Sequence, residues 1–223
     1  MKKQLVVVLL GCATMASAHF VFVVPQPGGA TAQVFISEEL KPTHGVDVGI
    51  VGGTKLMLRD GQGHETPLAL IKGSQAYTIS LPTDGGTRLI HGVADLGVTQ
   101  RGPANPFLLV YYLKTIVGDA FDSKMIVGSS APVEIVPVRE TRGLRLLVLA
   151  HGKPLPDSEV TVILPNGTQK KLKTDSAGIT DILTQTGRYG AWARYWEKIG
   201  GERDGKTYAE THNYATLVFD APG

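Results

Sequence analysis

Six histidines hold most of the chemistry this sequence offers: His19, His44, His64, His91, His151 and His212. None falls in an HExxH, a CxxC or an acidic calcium loop, so a metal site here has to be assembled across strands. His19 stands apart because of what precedes it. The basic pair Lys2-Lys3, an apolar run from Leu5 to Leu10 and the ending Ala16-Ser17-Ala18 have the layout of a secretory signal peptide cleaved after Ala18. Cleavage there makes His19 the first residue of the mature chain, with an α-amine and an imidazole on one residue. Amine and Nδ1 close a six-membered chelate, and a second imidazole completes a T-shaped three-nitrogen site. Copper(II) or nickel(II) suits such a site, whereas zinc generally takes a tetrahedral fourth ligand. The α-amine titrates at about 7.7–8.0, so metal binding displaces a proton and is expected to weaken on acidification.

Two internal histidines are the candidate partners. His91 lies in the strand-like run Arg88 to Ala94 between Ile90 and Gly92, a glycine that lets another group approach closely. His212 lies in Glu210-Thr211-His212-Asn213-Tyr214, directly before the expected last strand. Period-two alternation puts Glu210, His212 and Tyr214 on one side, with the carboxylate placed to orient the ring. The expected metal set is therefore His19, His212 and His91. The competing role for a strand histidine is that of a hydrogen-bonded structural residue. His44 and His64 lie beside glycines in loops and read as solvated, and His151 reads as a turn residue before Gly152-Lys153-Pro154.

Charge and cysteine content narrow the classes of partner. The 223-residue chain has 22 basic and 20 acidic residues, and Lys2 and Lys3 leave with the signal, so the mature side chains balance at 20 and 20. That balance argues against a nucleic-acid partner, which requires a basic surface. No later stretch has the roughly 18 unbroken apolar residues of a membrane span, and a soluble, periplasmic or secreted product is expected. The single cysteine, Cys12, falls within the signal, leaving the mature chain without a thiol ligand or disulfide. Leu10-Gly11-Cys12 also reads as a lipoprotein cleavage site, an alternative in which His19 is internal and the chelate fails.

The elements that must position these histidines are strands. Short β-branched runs separated by Gly and Pro turns describe an all-β chain, with strands expected at 19–24, 32–37, 46–51, 55–59, 76–81 and 88–94. Gly61-Gln62-Gly63 and Asp84-Gly85-Gly86 supply hairpin turns. Phe107 to Ile116 is aromatic and β-branched, hence strand-like, although Asn105-Pro106 can also open a helix. Asp119 to Lys124 reads as one helical turn, and Val133 to Val138 as a strand whose Pro137 marks an edge. Arg139-Glu140-Thr141-Arg142-Gly143 reads as a domain junction. Beyond it come strands at 144–150 and 187–195, a hairpin of 159–164 and 168–174 around Asn166-Gly167, a turn at Asp175-Ser176-Ala177-Gly178, and a last strand at 214–219. Trp192 and Trp196 are expected to pack in the sandwich or at its edge.

Residues 144–195, with Gly152-Lys153-Pro154-Leu155-Pro156, the hairpin and the Asp175–Gly178 turn, resemble transthyretin-like and collagen-adhesin-B-like modules. The resemblance implies a β-sandwich and no activity. The expected organisation is thus a signal peptide at 1–18 and two immunoglobulin-like or transthyretin-like β-sandwich domains at 19–138 and 139–223. His19-Phe20-Val21-Phe22-Val23-Val24-Pro25 after a signal peptide, His91-Gly92-Val93-Ala94-Asp95-Leu96-Gly97-Val98 and His212-Asn213-Tyr214-Ala215-Thr216 resemble a bacterial exported family of unknown function described as a nickel-uptake-like periplasmic domain. That resemblance implies periplasmic metal handling, with a metal-uptake membrane protein as partner, and no established reaction. Three functions follow as expectations. The first is a periplasmic copper- or nickel-binding protein. The second is a structural or carrier module of the envelope without metal. The third is a copper-dependent oxidative enzyme, since polysaccharide oxygenases use an N-terminal histidine in the same way. A serine nucleophile has no support, because no Gly-x-Ser-x-Gly elbow occurs.

Overall fold

The computed structural model describes residues 19–83 and 85–223. The expected signal peptide, with Cys12, and Asp84 of the expected Asp84-Gly85-Gly86 turn lie outside the described residues. The chain is all-β. Its strands are β1 (Phe20–Pro25), β2 (Thr31–Ser37), β3 (Lys55–Arg59), β4 (Glu65–Leu68), β5 (Ile71–Lys72), β6 (Tyr77–Ser80), β7 (Arg88–Thr99), β8 (Phe107–Val117), β9 (Val133–Glu140), β10 (Gly143–Ala150), β11 (Lys153–Pro154), β12 (Glu159–Ile163), β13 (Gln169–Lys173), β14 (Gly187–Glu197), β15 (Gly201–Arg203), β16 (Lys206–Tyr208) and β17 (Glu210–Ala221). Among the described residues no helix is long and apolar enough to cross a membrane.

One long sheet organises the molecule, in the order β13-β12-β14-β17-β8-β7-β3-β4. Smaller sheets lie against its two faces, β1-β2-β6-β5 on one side and β11-β10-β9 on the other. The result is two β-sandwiches that share their middle layer. On one face Phe22, Val34, Phe35 and Ile79 pack against Leu56, Leu58, Ile90, Tyr111 and Leu113. On the other, Val133, Ile135, Leu144, Leu146 and Val148 pack against Leu89, Ile116, Val162, Tyr189, Leu217 and Phe219. Each fully buried side chain of this kind stabilises the fold by about 1.5–3 kcal/mol.

The shared layer explains the ambiguous segment. β8 sends Phe107, Leu109, Tyr111 and Leu113 to the first core and Ile116 to the second. A strand buried on both faces loses its polar alternation and reads as a continuous apolar run. Its pairing partners are β7, antiparallel, and β17, parallel. The parallel pair joins the two halves of the chain into one sheet. Arg139-Glu140-Thr141-Arg142-Gly143, expected as a junction, brackets the tight turn Thr141-Arg142 between β9 and β10, which are paired along their whole length from Val133↔Ala150 to Glu140↔Gly143. The boundary expected at 138/139 therefore falls inside a hairpin of the second sandwich. Pro137 fits its place, because β9 is an edge strand with β10 as its one ladder neighbour.

One expected strand is absent. Residues 46–51 contain a 3-10 turn, Val48–Val51, in place of a strand. Asp47 caps it by accepting from Gly49 N–H at 2.8 Å, and Asp and Gly at these positions favour a capped turn over a strand. Gly92 has the close approach expected of it. A Cβ there would stand 2.0 Å from the Lys55 carbonyl oxygen, so the tight β3–β7 ladder beside His91 admits only glycine.

Candidate functional site: a histidine and aromatic face

β17 begins earlier than expected, at Glu210, and the alternation along it holds. His212 pairs with Leu109 and Tyr214 with Tyr111, so both side chains face the first core. Glu210 Oε1 lies 2.7 Å from His212 Nε2. The imidazole is buried between two rings, Phe107 at 3.8 Å and Trp196 at 4.2 Å between centroids, both nearly parallel to it. Trp196 is the solvent side of this stack, 48% exposed, and the Arg194 guanidinium lies over its ring at 4.8 Å from the centroid. Phe107 receives Arg101 at 5.9 Å. Cation and π-face attract, which steadies both ends of the stack. His212 thus has a carboxylate on Nε2, rings above and below, and Nδ1 without a protein hydrogen bond among the described residues.

His19 approaches the same face. Its carbonyl oxygen accepts from Tyr111 Oη at 3.1 Å, and Tyr111 stacks on Tyr214 at 5.3 Å. Phe20 is wedged against Trp192 at 4.2 Å, Tyr214 at 5.7 Å and Tyr111 at 6.4 Å. Further along, the Val23 carbonyl accepts from Thr115 Oγ1 at 2.6 Å and the Pro25 carbonyl from Arg188 at 2.7 Å. β1 therefore runs in the same direction as β8 and β17 beneath it. Traced backwards from Phe20, the described chain ends at His19, level with Tyr111 and its ladder partner Tyr214. Burial pushes the Tyr111 phenol well above its ordinary pKa, so it stays a neutral donor to the His19 carbonyl.

His91 is elsewhere. It pairs with Lys114 of β8 and Met57 of β3, and its side chain faces the second core. The long sheet separates it from His212, so His212 and the His19 carbonyl lie on one face and His91 on the other. His91 Nε2 lies 3.0 Å from Glu65 Oε1, which Arg59 also holds at 2.8 Å. Burial holds the His91 pKa below its ordinary value, with the Glu65 charge opposing that shift. Among the described residues no group of three or more His, Cys, Asp and Glu side chains is close enough to hold a metal ion. The other histidines sit in turns and loops. His44 meets Gln75 at 2.7 Å and His64 meets Asp60 at 3.0 Å. His151, at φ +49°, occupies a left-handed turn and reaches Glu197 at 3.0 Å.

Behind the His91 face lies a buried polar feature that contains no histidine. Lys114 and Glu134 form an ion pair with side chains 4% and 2% exposed. Glu134 also accepts from Val127 N–H and Gly128 N–H, each at 2.8 Å. Both residues carried a signal in the sequence, one lysine inside Phe107–Val117 and one glutamate between Val133 and Ile135. A lone charge in an apolar strand needs a buried partner.

No protein-family profile and no curated protein matches the chain. Two solved structures are similar at low level. One is a two-domain fibronectin type III segment from chicken tenascin, 14% identical, covering 89% of this chain and 97% of its own, with a TM-score of 0.22. The other is a bacterial ice-binding adhesin described for host cell surface retention, 12% identical, covering 92% of this chain and 64% of its own, with a TM-score of 0.20. At these values neither likeness carries an argument about function.

Proposed function

We propose that this is an exported metal-binding protein in which the mature N-terminus, His19, chelates copper(II) or nickel(II) through its α-amine and imidazole, with His212 as the third nitrogen. The observation that carries the reading is the shared face: Tyr111 holds the His19 carbonyl, and its ladder partner Tyr214 lies two residues along β17 from His212, on the same side. The Glu210–His212 pair supports it, because a ligating imidazole commonly gives its other N–H to a carboxylate that fixes ring and tautomer. Nδ1 is then the nitrogen left for the metal. The resemblance to the nickel-uptake-like periplasmic family supports the same chemistry, and a metal-uptake membrane protein is the partner it implies. His91 has no part in this set.

The test is direct. Protein beginning at His19 is compared with protein carrying one extra residue ahead of it, and copper(II) and nickel(II) are titrated by calorimetry. Binding that drops about tenfold or more with the extra residue, and again in His212→Ala but not in His44→Ala, supports the reading. Equal affinity in both N-terminal forms sinks it.

A further inference from the structure

We infer a second binding site, on the opposite face of the long sheet, for a small apolar molecule bearing a neutral carbonyl oxygen. A cavity of about 320 Å³ lies between β7, β8 and β9. It has room for about ten waters at roughly 30 Å³ each, the size of a small organic molecule. Met57, Val93, Tyr112, Val133 and Ile135 give it apolar walls, and Lys114 lies among its lining residues. Exposed Lys55 and Ser130 mark its outer end, and buried Val133, Glu134 and Ile135 its inner end.

The hydrogen-bond balance inside this cavity is one-sided. Glu134 meets three donors, Lys114 and one backbone N–H on Oε1 and another on Oε2. Lys114 is less well supplied. An ammonium has three donors, and among the described residues Glu134 is its one acceptor. Two N–H donors of a nine-tenths-buried lysine thus remain beyond Glu134, at a wall that is otherwise largely apolar. An incoming oxygen acceptor satisfies them. The pair is already neutral as a unit, so a carboxylate reaching Lys114 would set a second negative charge beside Glu134, whereas a ketone or amide oxygen adds none. Acceptor chemistry and charge together select a neutral carbonyl on an apolar chain.

The experiment uses the full mature chain labelled with 15N, titrated with 2-heptanone, hexanoate and hexane while amide shifts are followed. The expected result is saturable binding of the ketone, with shifts centred on Lys114, Val133 and Thr216, at least about tenfold tighter than hexanoate or hexane. Lys114→Met should erase the preference for the ketone over hexane. That variant tests the ion pair as well as the site, so Ser130→Trp, at the exposed rim, is the second test. It should block binding about tenfold while leaving the unfolding midpoint unchanged. No ketone binding up to saturation of its solubility, shifts centred away from this cavity, hexanoate binding as tightly as the ketone, or unchanged ketone binding in Ser130→Trp overturns the inference.

Discussion

Two hydrogen-bonded pairs of ionisable side chains sit on opposite faces of the same sheet and live in different physical regimes. Glu210 and His212 are two residues apart on one strand, and the Glu210 side chain is 38% exposed at the open end of the sandwich. Lys114 and Glu134 come from different layers and are buried in the second core, at the wall of its cavity. Water at the first pair lowers the cost of rearranging it, which leaves it free to serve a ligand. At the second, desolvation makes each charge depend on the other. Burial also pulls the Lys114 pKa below its ordinary value, against the opposing pull of Glu134. The first pair is therefore readily rearranged, whereas the second is held in place by mutual dependence.

The sharpest way to break this contrast is Glu134→Ala. It leaves the Lys114 ammonium and two backbone N–H groups without their acceptor, and should cost about 3–5 kcal/mol in urea-unfolding free energy. Removing both charges in Lys114→Met/Glu134→Leu should cost clearly less than the sum of the two single changes, the signature of a coupled pair. Additive losses would show that the pair is not coupled. Next in size is Gly92→Ala. Its Cβ would collide with the Lys55 carbonyl, so β3 must shift, at about 1–3 kcal/mol of overpacking cost. An unchanged unfolding midpoint would show that the β3–β7 ladder yields easily.

The same contrast explains what could be read from the sequence. Strands with one wet face were legible, as at Lys55–Arg59, where the expected bounds and the observed ones coincide. The hairpin around Asn166-Gly167 was legible from turn chemistry, and Gly167 takes φ +83° there. The alternation that put Glu210, His212 and Tyr214 on one side depended only on local geometry, so it survived. What local pattern does not encode is which strands meet. The parallel pairing of β8 with β17 spans about a hundred residues, and it decides that His212 shares a face with the His19 carbonyl while His91 does not. The rings that sandwich His212 come from Phe107 and Trp196 on two other strands, and no spacing rule joins them.

On the wet face the expected effects on stability are smaller and those on binding larger. Glu210→Gln should lower copper(II) or nickel(II) affinity by about 10–100-fold while shifting stability by less than about 1 kcal/mol, the range of a solvent-exposed pair. A stability loss with intact metal affinity would reassign Glu210 to a purely structural role.

The smallest effect tests the rim of the second face. The Arg59 guanidinium beside Glu65 holds its carboxyl below the ordinary range, with burial opposing and His91 assisting. A carboxylate with a lowered folded pKa contributes stability above its unfolded pKa of about 4.3, and that contribution disappears as pH falls through the lower folded value. The side chain is 35% exposed, so solvent screening limits the contribution to under about 1 kcal/mol. Unfolding of the wild type from pH 6 down to pH 3 should therefore show a slightly steeper loss of stability than Glu65→Gln, with the two curves diverging at neutral pH and converging at the acid end. The opposite order, a variant that loses more stability on acidification, would mean that Glu65 is held by its burial and not by Arg59. The pair would then belong to the structural regime of Lys114 and Glu134.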